Sequence, residues 1–166
     1  MEAMASSHTA TVTLPTDEQI LIEREFEAPK HLVYKAFTTP ELVERWWTAK
    51  RGEMKTCEID LRVGGKWRYV METPDGMEVG FHGEYREIEP DERIVSTEIF
   101  EGMPEGVPEE AAVNTATFTE ENGRTKLEIL VQHSNKQFRD MHIESGMEAG
   151  LQDAMDLLEE VAVSLR

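Results

Sequence analysis

The chain has 166 residues, 39% of them hydrophobic, which is enough for one domain with a core and too few for two. Its 34 acidic and 17 basic residues leave a net charge of -17, so nucleic acid and anionic lipid are excluded as expected partners because both would repel such a surface. A single cysteine, Cys57, excludes an internal disulfide, no apolar run reaches the roughly 20 residues of a membrane span, and the first residues lack the pattern of a signal peptide, so a cytoplasmic protein is expected.

Residues 1–18 are small, polar and aperiodic and read as a disordered tail, leaving residues 19–166 as the domain. Gln19 to Glu27 alternates, with Ile20, Ile22 and Phe26 against Glu23, Glu25 and Glu27, and predicts a half-buried strand. Arg24 shares its apolar face and is expected where that face meets water. Ala28-Pro29 ends the strand. Leu32, Val33, Ala36 and Phe37 then predict one short helix, and Pro40 opens a second that runs through Leu42, Val43, Trp46 and Trp47. Strands over Met54 to Leu61 and Lys66 to Thr73 flank the turn Gly64-Gly65, the second presenting Trp67, Tyr69 and Met71 on one face. Pro74-Asp75-Gly76 turns the chain into Glu78 to Ile88, which places Val79, Phe81 and Tyr85 together. Arg93 to Phe100 is the next strand, and both of its faces are mixed. Glu101 to Glu110, with two glycines and two prolines, reads as a loop. Val113 to Thr119 and Thr125 to His133 form a hairpin across Glu121-Asn122-Gly123.

From Ser134 onward Ile143, Met147, Leu151, Ala154, Leu158, Val161 and Leu165 recur at steps of three and four, which predicts one long helix capped by Ser134 or Asn135. Gly146 and Gly150 each cost that helix about 1 kcal/mol, and are expected to mark a close approach to a sheet or room over a cavity. The class is therefore α+β. A curved antiparallel sheet of about six to seven strands should grip a long C-terminal helix, with two short helices after the first strand.

Several stretches in register resemble one family. Arg24-Glu25-Phe26-Glu27-Ala28-Pro29, Pro40-Glu41-Leu42 and Arg45-Trp46-Trp47 carry the resemblance, followed by Gly64-Gly65-Lys66-Trp67-Arg68, Glu89-Pro90-Asp91-Glu92-Arg93 and Gly146-Met147-Glu148-Ala149-Gly150. The sequence is similar to bacterial proteins homologous to the C-terminal domain of the heat-shock-protein-90 ATPase activator, within the START-like (SRPBCC) superfamily. The resemblance implies the helix-grip fold and a cavity between sheet and helix that takes small hydrophobic or aromatic molecules. It also implies two alternatives, a chaperone-associated interaction module and an enzyme of the cyclase or hydrolase type. Leu151 stands where the family often has tryptophan.

Trp46, Trp67, Tyr69, Met71, Phe81, Tyr85, Thr97, Phe118, Phe138 and Met147 are the candidate ligand-binding residues, since ligand sites are mostly apolar with a few orienting polar groups. Trp47 borders the same space, and Glu98 and His133 are further candidates for those polar groups. His133 and His142 flank the start of the long helix and are read as ordinary partly exposed histidines, with a meeting at a pocket mouth as the alternative. The five histidines lack metal-ligand spacing, Cys57 has no close basic neighbour, and neither a nucleophile elbow nor a phosphate loop is present. No catalytic residue, metal or cofactor is expected.

Overall fold

The computed structural model describes residues 8–103 and 105–166. Among these, eight strands are formed: β1 (Thr11–Thr13), β2 (Gln19–Phe26), β3 (Glu53–Ile59), β4 (Lys66–Glu72), β5 (Glu78–Glu89), β6 (Arg93–Phe100), β7 (Ala111–Glu121) and β8 (Arg124–Gln132). They make one antiparallel sheet in the order β1-β2-β8-β7-β6-β5-β4-β3. Each strand from β3 to β8 pairs with its successor, through short connections except for the longer loop from Glu101 between β6 and β7, and Asn122 and Gly123 close the last hairpin with φ of 56° and 79°, the positive values a tight hairpin turn requires. β2 is different. It pairs with the final strand, Ile20 opposite Val131 and Arg24 opposite Leu127.

The eighth strand, beyond the six to seven expected, is β1, inside the segment read as a tail. Thr11 and Thr13 pair with Glu23 and Leu21 at the edge of β2. Ala10, just before it, is buried, donating its N–H to Gln152 Oε1 at 3.0 Å and accepting from Gln152 Nε2 at 2.7 Å. Three residues carry too little alternation to announce a strand. They pair with the nearby β2, and Gln152, which anchors Ala10 ahead of them, lies at the other end of the sequence.

Because successive side chains alternate, register assigns each residue a face. The concave face carries Ile20, Ile22 and Phe26 from β2, Leu127 and Val131 from β8, Ala116 and Phe118 from β7, and Ile94 from β6, all buried. This also orients β6: Ile94, Ser96 and Glu98 pair with Ala116, Asn114 and Ala112 and face inward. The helices α1 (Lys30–Thr38) and α2 (Pro40–Val43) follow β2, but α2 stops at Val43 and the chain goes on in turns through Trp46 and Trp47 rather than in the expected helix.

The segment from Ser134 is not one helix. It forms α3 (Lys136–Glu144) and α4 (Met147–Ser164), with Asn135 capping α3 by accepting from the Phe138 N–H at 2.9 Å. Gly146 separates them with φ of 82°, a conformation that glycine adopts without strain. The three-and-four spacing of Ile143, Met147 and Leu151 runs straight across the break, so periodicity alone misses it. Gly150 lies inside α4, and a Cβ there would meet nothing within 4 Å. Close approach to the sheet is therefore not its role. Leu158 and Val161 are buried as expected, whereas Ile143, Met147 and Leu151 are only half-buried.

Arg24 corrects another expectation. It is buried, with Nη2 2.8 Å from Asp156 Oδ1 and 3.4 Å from Glu159 Oε1, and its guanidinium lies 4.9 Å from the Phe26 ring centre. The arginine thus ties β2 to α4 by charge-assisted hydrogen bonds that the local sequence could not reveal.

Candidate functional site: an aromatic recess with a polar end

The gripped core is tight at one end and loose at the other. Around Phe26, Phe118, Leu127 and Leu158 side chains are fully buried. Toward β3 and β4, Trp47, Tyr69, Phe81 and Cys57 pack on the core yet keep accessible surface, and Met147 and Leu151 of α4 are likewise half-buried. Trp47 meets Tyr69 and Phe81 edge-on, with ring centres 5.3 and 5.8 Å apart, and Trp67 lies 4.8 Å from Tyr69. These rings form a wall with apolar faces and edges, the geometry that receives a flat apolar molecule.

Two adjacent tryptophans divide between layers. Trp46 donates from Nε1 to the Ala36 carbonyl at 3.0 Å and stacks on Phe37, so it is core rather than lining. Trp47 turns to the recess instead. Trp67 reaches across Gly83 to donate to the Thr97 carbonyl at 3.1 Å, and a Cβ on Gly83 would lie 2.7 Å from that indole nitrogen and 1.8 Å from the Thr97 oxygen. Only glycine permits the crossing. The Thr97 hydroxyl accepts the Glu84 N–H at 3.0 Å, which commits this side chain to the sheet ladder and away from the concave face.

Of the other expected lining residues, Phe118 packs against Tyr34 and Phe37 in the solid core, and Tyr85 is buried opposite Ser96 on the concave face. Met71 is half-buried near the β3 edge, across from Met54, and Phe138 is half-buried on α3, outside the core cluster. Met147, the first residue of α4, is half-buried and lines an outer groove with Val12, Leu14 and Ile143, away from the aromatic wall. The structure thus brings Trp67, Tyr69 and Phe81 together with Trp47, and leaves Trp46, Thr97, Phe118 and Phe138 apart from them.

The polar groups gather at one end. Asn114 donates from Nδ2 to Glu98 Oε1 at 3.1 Å, while its Oδ1 is buried without a partner. His133 Nδ1 lies 2.7 Å from Glu110 Oε1, and its Nε2 lies 3.1 Å from His142 Nδ1, so the two histidines do meet. Ser134 holds the other Glu110 oxygen through its hydroxyl at 2.8 Å. Burial, followed by the neighbouring His133, pushes His142 down to about 4 and keeps it neutral. Loss of hydration raises Glu98, and burial holds the Tyr69 hydroxyl well above its ordinary value. Both side chains nonetheless keep accessible surface. Desolvation together with remaining access describes groups that border an internal recess. Glu110 and Asn114 had no sequence signal, since only the fold brings them to His133 and Glu98.

Cys57 is half-buried, its thiol 3.6 Å from the Pro40 carbonyl and pushed up to about 12 by burial and then by Glu44 and Glu41, so it is not a thiolate nucleophile. Among the described residues, no group of three His, Cys, Asp or Glu side chains is arranged to hold a metal, and no helix is long and apolar enough to cross a membrane. Two outer grooves lie elsewhere, one of about 470 Å³ along Lys136, Asp140 and Glu144 and one of about 410 Å³ beside Val12, Ile143 and Gly146. Neither opens on the aromatic wall.

The profile of the family described as activator of Hsp90 ATPase homolog 1-like protein matches residues 27–162. No curated protein matches the chain. A solved structure from Rhodobacter sphaeroides superposes with a TM-score of 0.84 at 22% identity, over 95% of this chain and 99% of that one. One from Nitrosomonas europaea gives 0.79 at 24% identity, over 91% and 97%, and one from Mycobacterium smegmatis gives 0.80 at 22% identity, over 92% and 96%. At these identities the likeness is one of fold.

Proposed function

The chain belongs to the family of activator of Hsp90 ATPase homolog 1-like proteins and has the START-like fold, and from that premise we propose that it binds a small hydrophobic or aromatic molecule between the curved sheet and α4. The observation that carries this reading is the group Trp47, Tyr69 and Phe81 against the buried Trp67, rings that meet edge-on or tilted on the concave side while the first three stay only half-buried. In a core built for packing alone these surfaces would be covered, because close packing is what stabilises an interior. Naphthalene should quench tryptophan fluorescence saturably and raise the melting temperature, since a ligand held only by the folded state stabilises it by mass action. Trp47→Leu should weaken that binding about tenfold, the loss of one aromatic contact, while leaving the far-ultraviolet circular dichroism unchanged. If naphthalene and related apolar compounds neither quench nor stabilise, the recess is ordinary core and this reading is wrong.

Family membership supports a second reading, a chaperone-associated interaction module. Its test is a titration of the protein into an ATPase assay of a heat-shock-protein-90 chaperone. A saturable rise in turnover would place that reading first.

A further inference from the structure

Among the described strand residues, Glu98 is the acidic side chain that the register turns inward beside the aromatic wall. Phe81 pairs with Phe100 and Tyr85 with Ser96, so Glu98 lies level with Gly83 on β5, and its partner on β7 is Ala112. Ala112 on one side is small, and on the other the Trp67 indole covers Gly83, where a Cβ would lie 2.7 Å from its nitrogen, so the carboxylate adjoins aromatic surface directly.

One Glu98 oxygen accepts from Asn114, and the other makes no hydrogen bond among the described residues. No lysine or arginine among them pairs with it. His133, whose charge would favour the ionised carboxylate, is already engaged by Glu110 and His142. A carboxylate in such surroundings needs a cation or a donor, and the protein supplies only an amide. Aromatic faces beside it favour a positive charge through their negative quadrupole, and Glu98 and Glu110 together disfavour an anion.

Resting on the ligand-binding reading above, we propose that the occupant of the recess is an amine, with its aromatic or apolar part on Trp47, Tyr69 and Phe81 and its ammonium on the free oxygen of Glu98. The acidic side chain then serves as an orienting group, and specificity comes from the partner it lacks in the unliganded protein.

Three isosteric probes test this: 2-naphthylethylamine, 2-naphthylethanol and 2-naphthylacetate, titrated against the whole protein and followed by tryptophan quenching and calorimetry. The amine should bind about tenfold or more tightly than the alcohol, the low end of what a close charge pair in an interface contributes, and the carboxylate most weakly. Glu98→Gln should bring amine and alcohol within about threefold of each other. A melting curve and circular dichroism spectrum establish that this isosteric variant is folded. Equal binding of amine and alcohol by the parent protein, or an amine preference that survives in Glu98→Gln, overturns the proposal and leaves the ligand-binding reading standing. If naphthalene itself fails to bind, that reading falls and takes this one with it.

Discussion

Glu98 shows what a single residue can cost. Its proton is held above the ordinary value of 4.5 by loss of hydration, with the Asn114 hydrogen bond and then the charge of His133 opposing the shift. The folded state therefore binds more protons than the unfolded state above pH 4.5, and stability due to this group is full below that value and falls as pH rises. Glu98→Gln should raise the melting temperature at pH 8, with no difference below pH 4.5. Scanning calorimetry across that range checks it, and an unchanged or lowered melting point at pH 8 refutes it. Local alternation located the aromatic strand face, which is why Trp67, Tyr69 and Phe81 were found. It could not orient β6, because Val95 and Thr97 on the opposite face are also buried, so Thr97 and Glu98 were equally eligible. Trp46 and Trp47 were likewise inseparable. They leave a turn after α2 rather than a periodic element, and only the fold sends one to Ala36 and the other to Tyr69.

At the scale of the element, the break before α4 separates two glycines with different physics. Gly146 occupies the left-handed region, where alanine costs roughly 1–2 kcal/mol, so Gly146→Ala should destabilise the protein. Gly150 is helical with open space where a Cβ would stand, so Gly150→Ala should stabilise by about 1 kcal/mol through helix propensity. Denaturant titration of the two variants should therefore move the midpoint in opposite directions, and a loss in both would mean that Gly150 does meet a neighbour. Most elements were legible because their turns and alternation are local. β1 and the partners of Arg24 were not, since Gln152, Asp156 and Glu159 all reach them from α4. Side chains that are far apart in sequence and adjacent in space leave no periodic trace.

Across the whole molecule, Glu27 gathers four segments at one corner. Its carboxylate takes Arg124 from the start of β8 at 2.6 Å and His8 at 2.5 Å, its N–H donates to Glu159 of α4 at 2.8 Å, and its carbonyl accepts from Arg166 at 3.1 Å. The Arg124 and His8 hydrogen bonds hold it down at about 2 against an ordinary 4.5. Ionised Glu27 thus contributes stability above pH 4.5 that is lost as pH falls toward 2. Glu27→Gln should melt earlier than the parent at pH 7 and together with it near pH 2, as read by circular dichroism; a gap that persists in acid would mean that the corner is held by shape rather than charge. The pairing of Ile20 with Val131 also sets an order of events during synthesis. Strands β3 to β7 can zip hairpin by hairpin as they leave the ribosome, but the inner edge of β2 stays open until β8 follows, and the last helix must emerge before the sheet is covered. Nascent chains of this protein should be most prone to aggregation late in translation, when an apolar half-sheet waits for the strand that completes it.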